Sequence, residues 1–599
     1  IEREPMTLES EKIEGLNNST IQIAYFSMEV GLEQGVPTYS GGLGILAGDT
    51  LKSCADLHLP VVGMTLFHEN GYFIQKLDGD GNQTEEPVDW DPASRMTLLP
   101  YVVKVNICGR PVAIRAWRYM IEGVTGASVP VYFLDTNIED NHREDREITA
   151  YLYGGDEEYR LKQEVVLGIG GVRMLRAMGY KRLTTYHMNE GHASLLTLEL
   201  LRENRRDPEE VWFEQARWDP EAVRDLCVFT THTPVPAGHD RFPNQLVKKV
   251  LGQQKEKAKT GEDPYLINEI PFEVVDGLSG TDDFHMTLLA LNLSRYANGV
   301  AKKHGQVSKE MFPEYEIDSI TNGVHVNTWM APEFRSLMDE YVPGWRSDAF
   351  MLRQAVGIPP QRVWSAHEQS KGRLLDFVHE KTGVTLDPNV LTFGFARRAT
   401  AYKRADLLFT DIARLKKIAR EVGKFQIIYA GKAHPKDESG KALIRRIVQV
   451  AKDLNADIPI VYMENYNFDL GMLMTAGVDV WLNTPKRPQE ASGTSGMKAT
   501  LNGVLNFSVL DGWWIEGHRE GITGWSIGPR PSKAGAGTDE ADVRDLYDKL
   551  ETVIVPTYYQ NRDAWIHMMV DGLSLNGSFF NTNRMMLQYV SSAYLRKID

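Results

Sequence analysis

A chain of 599 residues, 42% hydrophobic and 25% charged, is too long for one core and has the balance of a water-soluble protein with two or more domains. Its 66 basic and 81 acidic residues leave a net charge of −15. That removes the electrostatic reason to expect nucleic acid and is compatible with a neutral polymeric substrate.

Cys54, Cys108 and Cys227 are scattered with no CxxC pair and read as reduced thiols of a cytoplasmic protein. No apolar run is long enough to span a membrane. The acidic start, IEREPMTLES, is no signal peptide.

Strand, loop and helix then alternate in two successions. The first opens at IQIAYFSME (21–29), a short apolar run. It leads through VGLEQGVPTYSGGLG into ILAGDTLKSCADL, whose apolar spacing is helical. LPVVGMTLF (59–67) reads as a buried strand, VPVYFLD as another, and EEYRLKQEVVLGIGGVRMLRAMG (157–179) as a long helix. LTTYHMNEGHASLL and LCVFTTHTPVP each read as a strand ending in a polar loop. Such alternation predicts parallel strands with helices on both faces. ITNGVHVNTWM (320–330) carries turn residues in mid-chain and is the candidate linker.

The second succession is cleaner. NVLTFGFARRATAYKRADLLFTDIARLKKIA predicts strand, basic loop and helix, and KFQIIYAGKAHPKDESGKALIRRIVQVAKDL repeats the pattern. PIVYMENYNFDLGMLMTAGVDVWLN adds two strands around a short helix. This is a doubly wound, Rossmann-like succession, in which ligands gather beyond the C-terminal ends of the strands. FFNTNRMMLQYVSSAYLRKI predicts a terminal helix packed on one of the domains. The expected fold is therefore α/β with two Rossmann-like domains. The first spans residues 1–322 and the second 323–570, and a C-terminal helix occupies 571–599.

Five loops carry candidate chemistry. YSGGLG (39–44) would let an anion approach the backbone at Gly41 and Gly42, although glycine clusters at such turns serve sterics as often as ligands. FARRATAYKRAD (395–406) places Arg397, Arg398, Lys403 and Arg404 where a strand meets a helix, as an anion site or as a solvated face. THTPVPAGHD contributes His232, and HMNEGHA contributes Glu190 and His192. Their spacing matches no common zinc pattern, so no metal is expected. EASGTSGMK (490–498) is the most specific stretch. Its Gly, Ser and Thr offer donors in a tight arc, and Lys498 stands behind them as a counter-charge or as an amine for a Schiff base. The plainer reading is a Ser/Gly turn capping a helix.

EASGTSGMK followed by GVLNFSVLDGWW resembles the pyridoxal-phosphate attachment site of the α-glucan (glycogen, maltodextrin) phosphorylases, in a short prokaryotic-type form. The resemblance covers nearly the whole chain and implies the GT-B arrangement, with the two domains facing across a cleft. It implies retaining phosphorolysis of an α-1,4-glucan or maltodextrin by inorganic phosphate to give α-glucose 1-phosphate, with the 5′-phosphate of pyridoxal phosphate as proton relay.

By position in the motifs, Lys498 would carry pyridoxal 5′-phosphate. Thr494, Ser495, Arg397 and His192 would also contact the cofactor. Arg398 and Lys403 would hold the substrate phosphate. His232, Glu190, Asn322, Glu490, Ser492 and Gly493 would hold glucose, with Gly41 and Gly42 beside it. The family's animal and plant members usually have His-Glu where Thr400 and Ala401 stand, and its commonest form has Gly-Asn where Ser495 and Gly496 stand. Homodimers are common in the family. No match to the animal enzymes' N-terminal regulatory segment is present, so control by phosphorylation or nucleotide is not expected.

Three other classes compete. Bacterial glycogen synthases, which use a sugar nucleotide, have a lysine two residues before GGLG, where this chain has Tyr39. A glycoside hydrolase would need a carboxylate pair, for which Glu29, Glu69, Glu190 and Glu490 are candidates. A non-enzymatic glucan-binding protein would present aromatic platforms such as Trp513 and Trp514.

Overall fold

The computed structural model describes residues 22–252, 270–531 and 537–595. The acidic stretch at 1–10 and the last residues of the terminal segment lie outside them.

The strands Ile23–Ser27 and Val61–Leu66 are buried at every position. Such strands run apolar without alternation because helices cover both their faces. Among the described residues they sit inside a nine-stranded sheet. Its order begins Asp318–Ser319, Tyr296–Gly299, Cys227–Thr230, Thr185–Asn189 and Ile23–Ser27. It continues through Val61–Leu66 and Ser128–Asp135 to Arg110–Glu122 and Thr97–Ile107. The strands from Asp318–Ser319 to Ser128–Asp135 are parallel.

The last three strands depart from the alternation expected of the sequence, because Ser128–Asp135, Arg110–Glu122 and Thr97–Ile107 run antiparallel with no helix between them. Thr97–Ile107 is exposed at alternate positions over much of its length, as suits a sheet edge with one wetted face. Cys108 and Gly109 turn the chain there with φ of 51° and 74°, the backbone a two-residue hairpin requires.

Among the described residues the second sheet has six parallel strands. Their order is Ile460–Met463, Phe425–Ala430, Leu391–Ala396, Val480–Asn483, Leu505–Val509, Gly524–Ile527. Strands enter outward from Leu391–Ala396 in one direction, then outward from Val480–Asn483 in the other. The boundary between those two is a topological switch point, where a crevice forms beyond the strand ends. The first sheet has its own reversal between Ile23–Ser27 and Thr185–Asn189. Every loop singled out above follows a strand at or beside one of these two boundaries.

Helix Thr582–Tyr589 returns to the first sheet, as a terminal helix packed on one half of the molecule. Ser53 Oγ lies 2.6 Å from Thr582 Oγ1, and Arg584 donates to the carbonyls of Thr321 and Asn322 at 2.6 and 3.0 Å. The hairpin of Ile74–Leu77 and Gln83–Glu86 reaches the second sheet instead. Gln75 and Gln83 donate to the carbonyls of Gly431 and Ala433.

Helix Pro360–Thr382 is fastened beneath the second sheet by a buried ionic cluster. Asp479 accepts from Lys371 Nζ at 2.6 Å and from the Thr392 backbone at 2.7 Å, and pairs with His367 Nε2 at 2.8 Å. Removing one member strands a buried charge. Asp479→Ala is expected to lower stability by about 3–5 kcal/mol, measured as a fall in the urea midpoint; a loss under about 1 kcal/mol would refute the role.

Candidate active site

The first sheet's reversal places Glu29 at the exit of its central strand. Glu29 accepts from the backbone and hydroxyl of Ser40 and from Tyr153 OH at 2.9 Å, which fastens YSGGLG at the head of helix Gly42–Asp56. A Cβ on Gly41 would sit 3.1 Å from Arg398 Nη2, so the bare backbone there makes room for a guanidinium from the second sheet. Arg398 also donates to Ser40 Oγ at 3.3 Å. Tyr39 points elsewhere, its ring edge-on to Phe468.

On the neighbouring strand Glu190 is held at φ 75°, a conformation that carries strain for a residue other than glycine. Its carboxylate accepts from the backbones of Gly191 and His232 at 3.0 and 2.7 Å and from Thr233 Oγ1 at 2.9 Å. Burial pushes its pKa up, but the nearby histidines and the His232 amide win and hold it below the usual carboxylate range. His232 lies with Nε2 2.7 Å from Asn189 Oδ1, and burial lowers its pKa to about 4, so the ring is neutral.

His192 pairs with Asp240 at 3.2 Å, and Asp240 with Arg160 at 3.1 Å. A cavity of about 770 Å³ opens there, lined by Tyr153, Arg160, Pro236, His239, Asp240 and Arg241 among others. Asn322 is buried, and its Oδ1 has no hydrogen-bond partner among the described residues.

The second sheet supplies the cations. Arg397 follows the strand Leu391–Ala396, and Lys403 closes the turn Ala401–Lys403. Both reach one oxygen, Glu490 Oε2, at 2.8 and 2.6 Å. The sequence reading gave these three residues three different ligands; the structure gathers them into one cluster. Burial lowers Lys403 to about 7, with the Arg397 charge adding to the effect and Glu490 opposing it. Burial raises Glu490, but Arg397 and Lys403 outweigh it and keep the carboxylate ionised. Arg404, the fourth cation of that loop, is structural. It is spent on Asp539, Asp542 and the carbonyls of Thr484 and Pro485.

Lys498 lies on the short helix Ser495–Thr500, buried, with Nζ 3.5 Å from the centre of the Trp329 ring. Burial pulls its pKa down to about 8; Asp49 opposes that and Lys52 adds to it. A Cβ on Gly496 would lie 2.3 Å from Asn506 Oδ1, so only glycine lets this helix sit on the strand Leu505–Val509. Thr494 makes no side-chain cap to the helix, and Ser495 Oγ accepts from Trp481 Nε1 at 3.1 Å. The hydroxyls therefore do little for helix capping, contrary to the plainer reading. Gly493 lies against the Glu490 side chain. Ser492 Oγ and Arg397 Nη1 are buried without partners among the described residues.

Two groups escaped the sequence. Trp329, within the linker motif, forms the platform for Lys498, and nothing in its spacing announced it. Asp511 accepts from the backbones of Glu490 and Gly512, both at 2.9 Å. Burial raises its pKa to about 7. One suggestion is corrected: Trp513 and Trp514 are 2% and 0% exposed and pack on each other and Phe580, so they are core residues and offer no sugar platform.

Cations desolvated at the ends of parallel strands, and a buried lysine of lowered pKa on the helix that follows one of those strands, suit a group-transfer enzyme. The family model described as carbohydrate phosphorylase matches residues 135–524, and the chain belongs to this family of glycosyl-transferring enzymes. It is 39% identical to maltodextrin phosphorylase of Thermococcus litoralis, over 96% of this chain and 71% of that protein. It is 38% identical to glycogen phosphorylase of Mycobacterium tuberculosis, over 96% and 70%. To glycogen phosphorylase of Aquifex aeolicus it is 36% identical, over 96% and 86%.

The lysine predicts a pH signature. Its pKa falls from 10.5 to about 8 on folding, so between those values the unfolded chain binds more protons and stability rises with pH. Lys498→Met abolishes that term. The stability of the variant relative to the parent, both free of cofactor, is expected to decline by about 3 kcal/mol from pH 7 to pH 10.5, read from urea unfolding. A pH-independent difference would refute the buried ammonium.

Proposed function

We propose that this chain is an α-1,4-glucan phosphorylase, using inorganic phosphate to release α-glucose 1-phosphate from a maltodextrin or glycogen chain end with retained configuration. The observation that carries the reading is Lys498. It is a buried amine with a lowered pKa and no hydrogen-bond acceptor among the described residues, in one motif with the unpartnered Ser492 Oγ and close in sequence to Glu490, which Arg397 ties to the cation cluster. These features fit pyridoxal 5′-phosphate, with Lys498 holding the aldehyde carbon and Arg397, Thr494 and Ser495 beside the phosphate. When bound, that group supplies a second phosphate able to relay a proton to the substrate phosphate.

The chain's own residues then have distinct tasks. Two phosphates brought close repel each other; Arg397 and Arg398 offset that with charge fixed before substrate arrives, and Lys403 adds its own once phosphate is bound. A phosphate dianion beside Lys403 raises the lysine's pKa again and keeps it an ammonium at neutral pH. Phosphate forms the new bond on the same face of the anomeric carbon from which the glycosidic oxygen departs, which retains configuration, and the leaving oxygen takes its proton from the substrate phosphate.

Glu190 pins the His232 loop, and the neutral imidazole is suited to a sugar hydroxyl. Asn322 and Glu490 hold further hydroxyls, with Ser492, Gly493, Gly41 and Gly42 close by. The cavity along Tyr153 and Asp240 receives the rest of the glucan. We read residues 1–322 and 323–570 as two Rossmann-like domains facing across a cleft, the GT-B arrangement, with 571–599 returning to the first. The contact of Arg398 with Ser40 supports that reading.

Borohydride reduction of protein loaded with pyridoxal phosphate, followed by peptide mapping, is expected to find the pyridoxyl group on Lys498. Phosphate-dependent release of glucose 1-phosphate from maltodextrin should vanish in Lys498→Ala. Arg398→Ala should raise the KM for phosphate about tenfold to a hundredfold, the loss of one charged hydrogen bond. An unmodified Lys498, or glucan cleavage without phosphate, would overturn the assignment.

A further inference from the structure

Helix Gly42–Asp56 starts at the YSGGLG loop and carries two charged residues that the proposed mechanism does not use. Asp49 is 1% exposed. Its Oδ2 accepts from Trp329 Nε1 at 2.7 Å and from the His325 backbone at 3.1 Å, while Oδ1 is buried with no partner among the described residues. Trp329 is the ring on which Lys498 rests. Three residues on from Asp49, Lys52 Nζ donates to the Leu32 carbonyl at 2.7 Å and to Thr328 Oγ1 at 3.1 Å. It lies 5.3 Å from the centre of the Phe468 ring, which is itself 4.9 Å from the ring of Trp329. A carboxylate of this helix thus holds the indole beneath the amine, and an ammonium one turn on lies over the ring that packs against that indole.

We propose that Asp49 and Lys52 are the positioning pair of Lys498: Asp49 holds the indole platform and supplies the amine's counter-charge, and Lys52 opposes it. Together they set the pH at which Lys498 becomes an uncharged nucleophile for an aldehyde. The inference rests on the reading of Lys498 as the cofactor lysine.

Other charges do not account for the balance. Helix Gly42–Asp56 also carries Cys54 and Asp56, and Asp56 is committed to His325 at 2.9 Å. Helix Phe468–Gly477, packed against the Lys498 helix, offers only Asp469, and the strands Val480–Asn483 and Leu505–Val509 and the segment Gly572–Gly577 offer no titratable side chain. The charges that act on the Lys498 amine are those of Asp49, which favours the ammonium, and Lys52, which disfavours it.

The test is reductive trapping of pyridoxal 5′-phosphate on cofactor-free protein across a pH series. Peptide mass analysis reports the adduct on Lys498 relative to that on Lys417, whose side chain is 59% exposed. The parent's yield is expected to rise with a midpoint near pH 8. Asp49→Asn should move the midpoint down and Lys52→Met should move it up, each by about one pH unit. Asp49→Glu and Lys52→Arg should titrate like the parent.

Midpoints that stay put, or that both move in the same direction, would overturn the proposal while leaving Lys498 as the cofactor lysine. No adduct on Lys498 in the parent would overturn the underlying reading instead. If Asp49→Asn fails to fold by circular dichroism, the contrast between Lys52→Met and Lys52→Arg decides: loosened packing would raise the midpoint in both variants by relieving burial, whereas loss of the charge raises it in Lys52→Met alone.

Discussion

Positive charge is costly to desolvate, and this crevice concentrates it. Arg397 and Lys403 both converge on Glu490, and that single carboxylate makes their burial tolerable. The neutralisation is incomplete: two cations share one anion, and Arg397 keeps a buried N–H without a partner. The cluster retains a net appetite for anions even in its resting state. Much of the surrounding architecture serves to hold it in place. Asp511 fastens the Glu490 backbone, and Arg404 anchors the cationic loop to carbonyls and carboxylates behind it.

The two sheets explain why these groups meet at all. Each reverses its strand order once, and at each reversal neighbouring loops diverge and leave the strand ends open. Glu29 and Glu190 occupy one such opening, while Arg397, Lys403 and Glu490 occupy the other. In the first, both carboxylates are used inward as braces: Glu29 on the Ser40 backbone and Glu190 on the His232 loop. Both are buried, at 1% and 5% exposure, and their oxygens are spent on these hydrogen bonds. Carboxylates that a hydrolase would need free therefore have other work wherever the structure gives them partners of this kind.

What could be read from the chain follows from how local each signal is. The strands Leu391–Ala396 and Phe425–Ala430 and the helices after them are continuous apolar runs and amphipathic repeats, and they stand where the sequence placed them. The short helix bearing Lys498 was legible for the same reason. The antiparallel strands Thr97–Ile107 and Arg110–Glu122 were not, because their half-wetted alternation is interrupted by Pro100 and by charged residues. Contacts between distant segments left no trace in the spacing. Trp329 beneath Lys498, Asp49 behind Trp329, and Glu490 between Arg397 and Lys403 are products of tertiary packing alone. The burial of Trp513 and Trp514 was hidden likewise, since an aromatic pair looks the same whether it faces sugar or core.

The return of helix Thr582–Tyr589 to the first sheet bears on how this molecule is made. Its residues cover helix Gly42–Asp56, and Tyr589 OH reaches Thr230 and Asn298 on the first sheet. That surface stays open until residues 582–589 have been made, after every strand of both sheets. The amino-terminal half therefore cannot finish folding as it emerges, and the second sheet, drawn from one uninterrupted stretch of chain, is able to close first. Vectorial synthesis and completion of the fold run in opposite orders here.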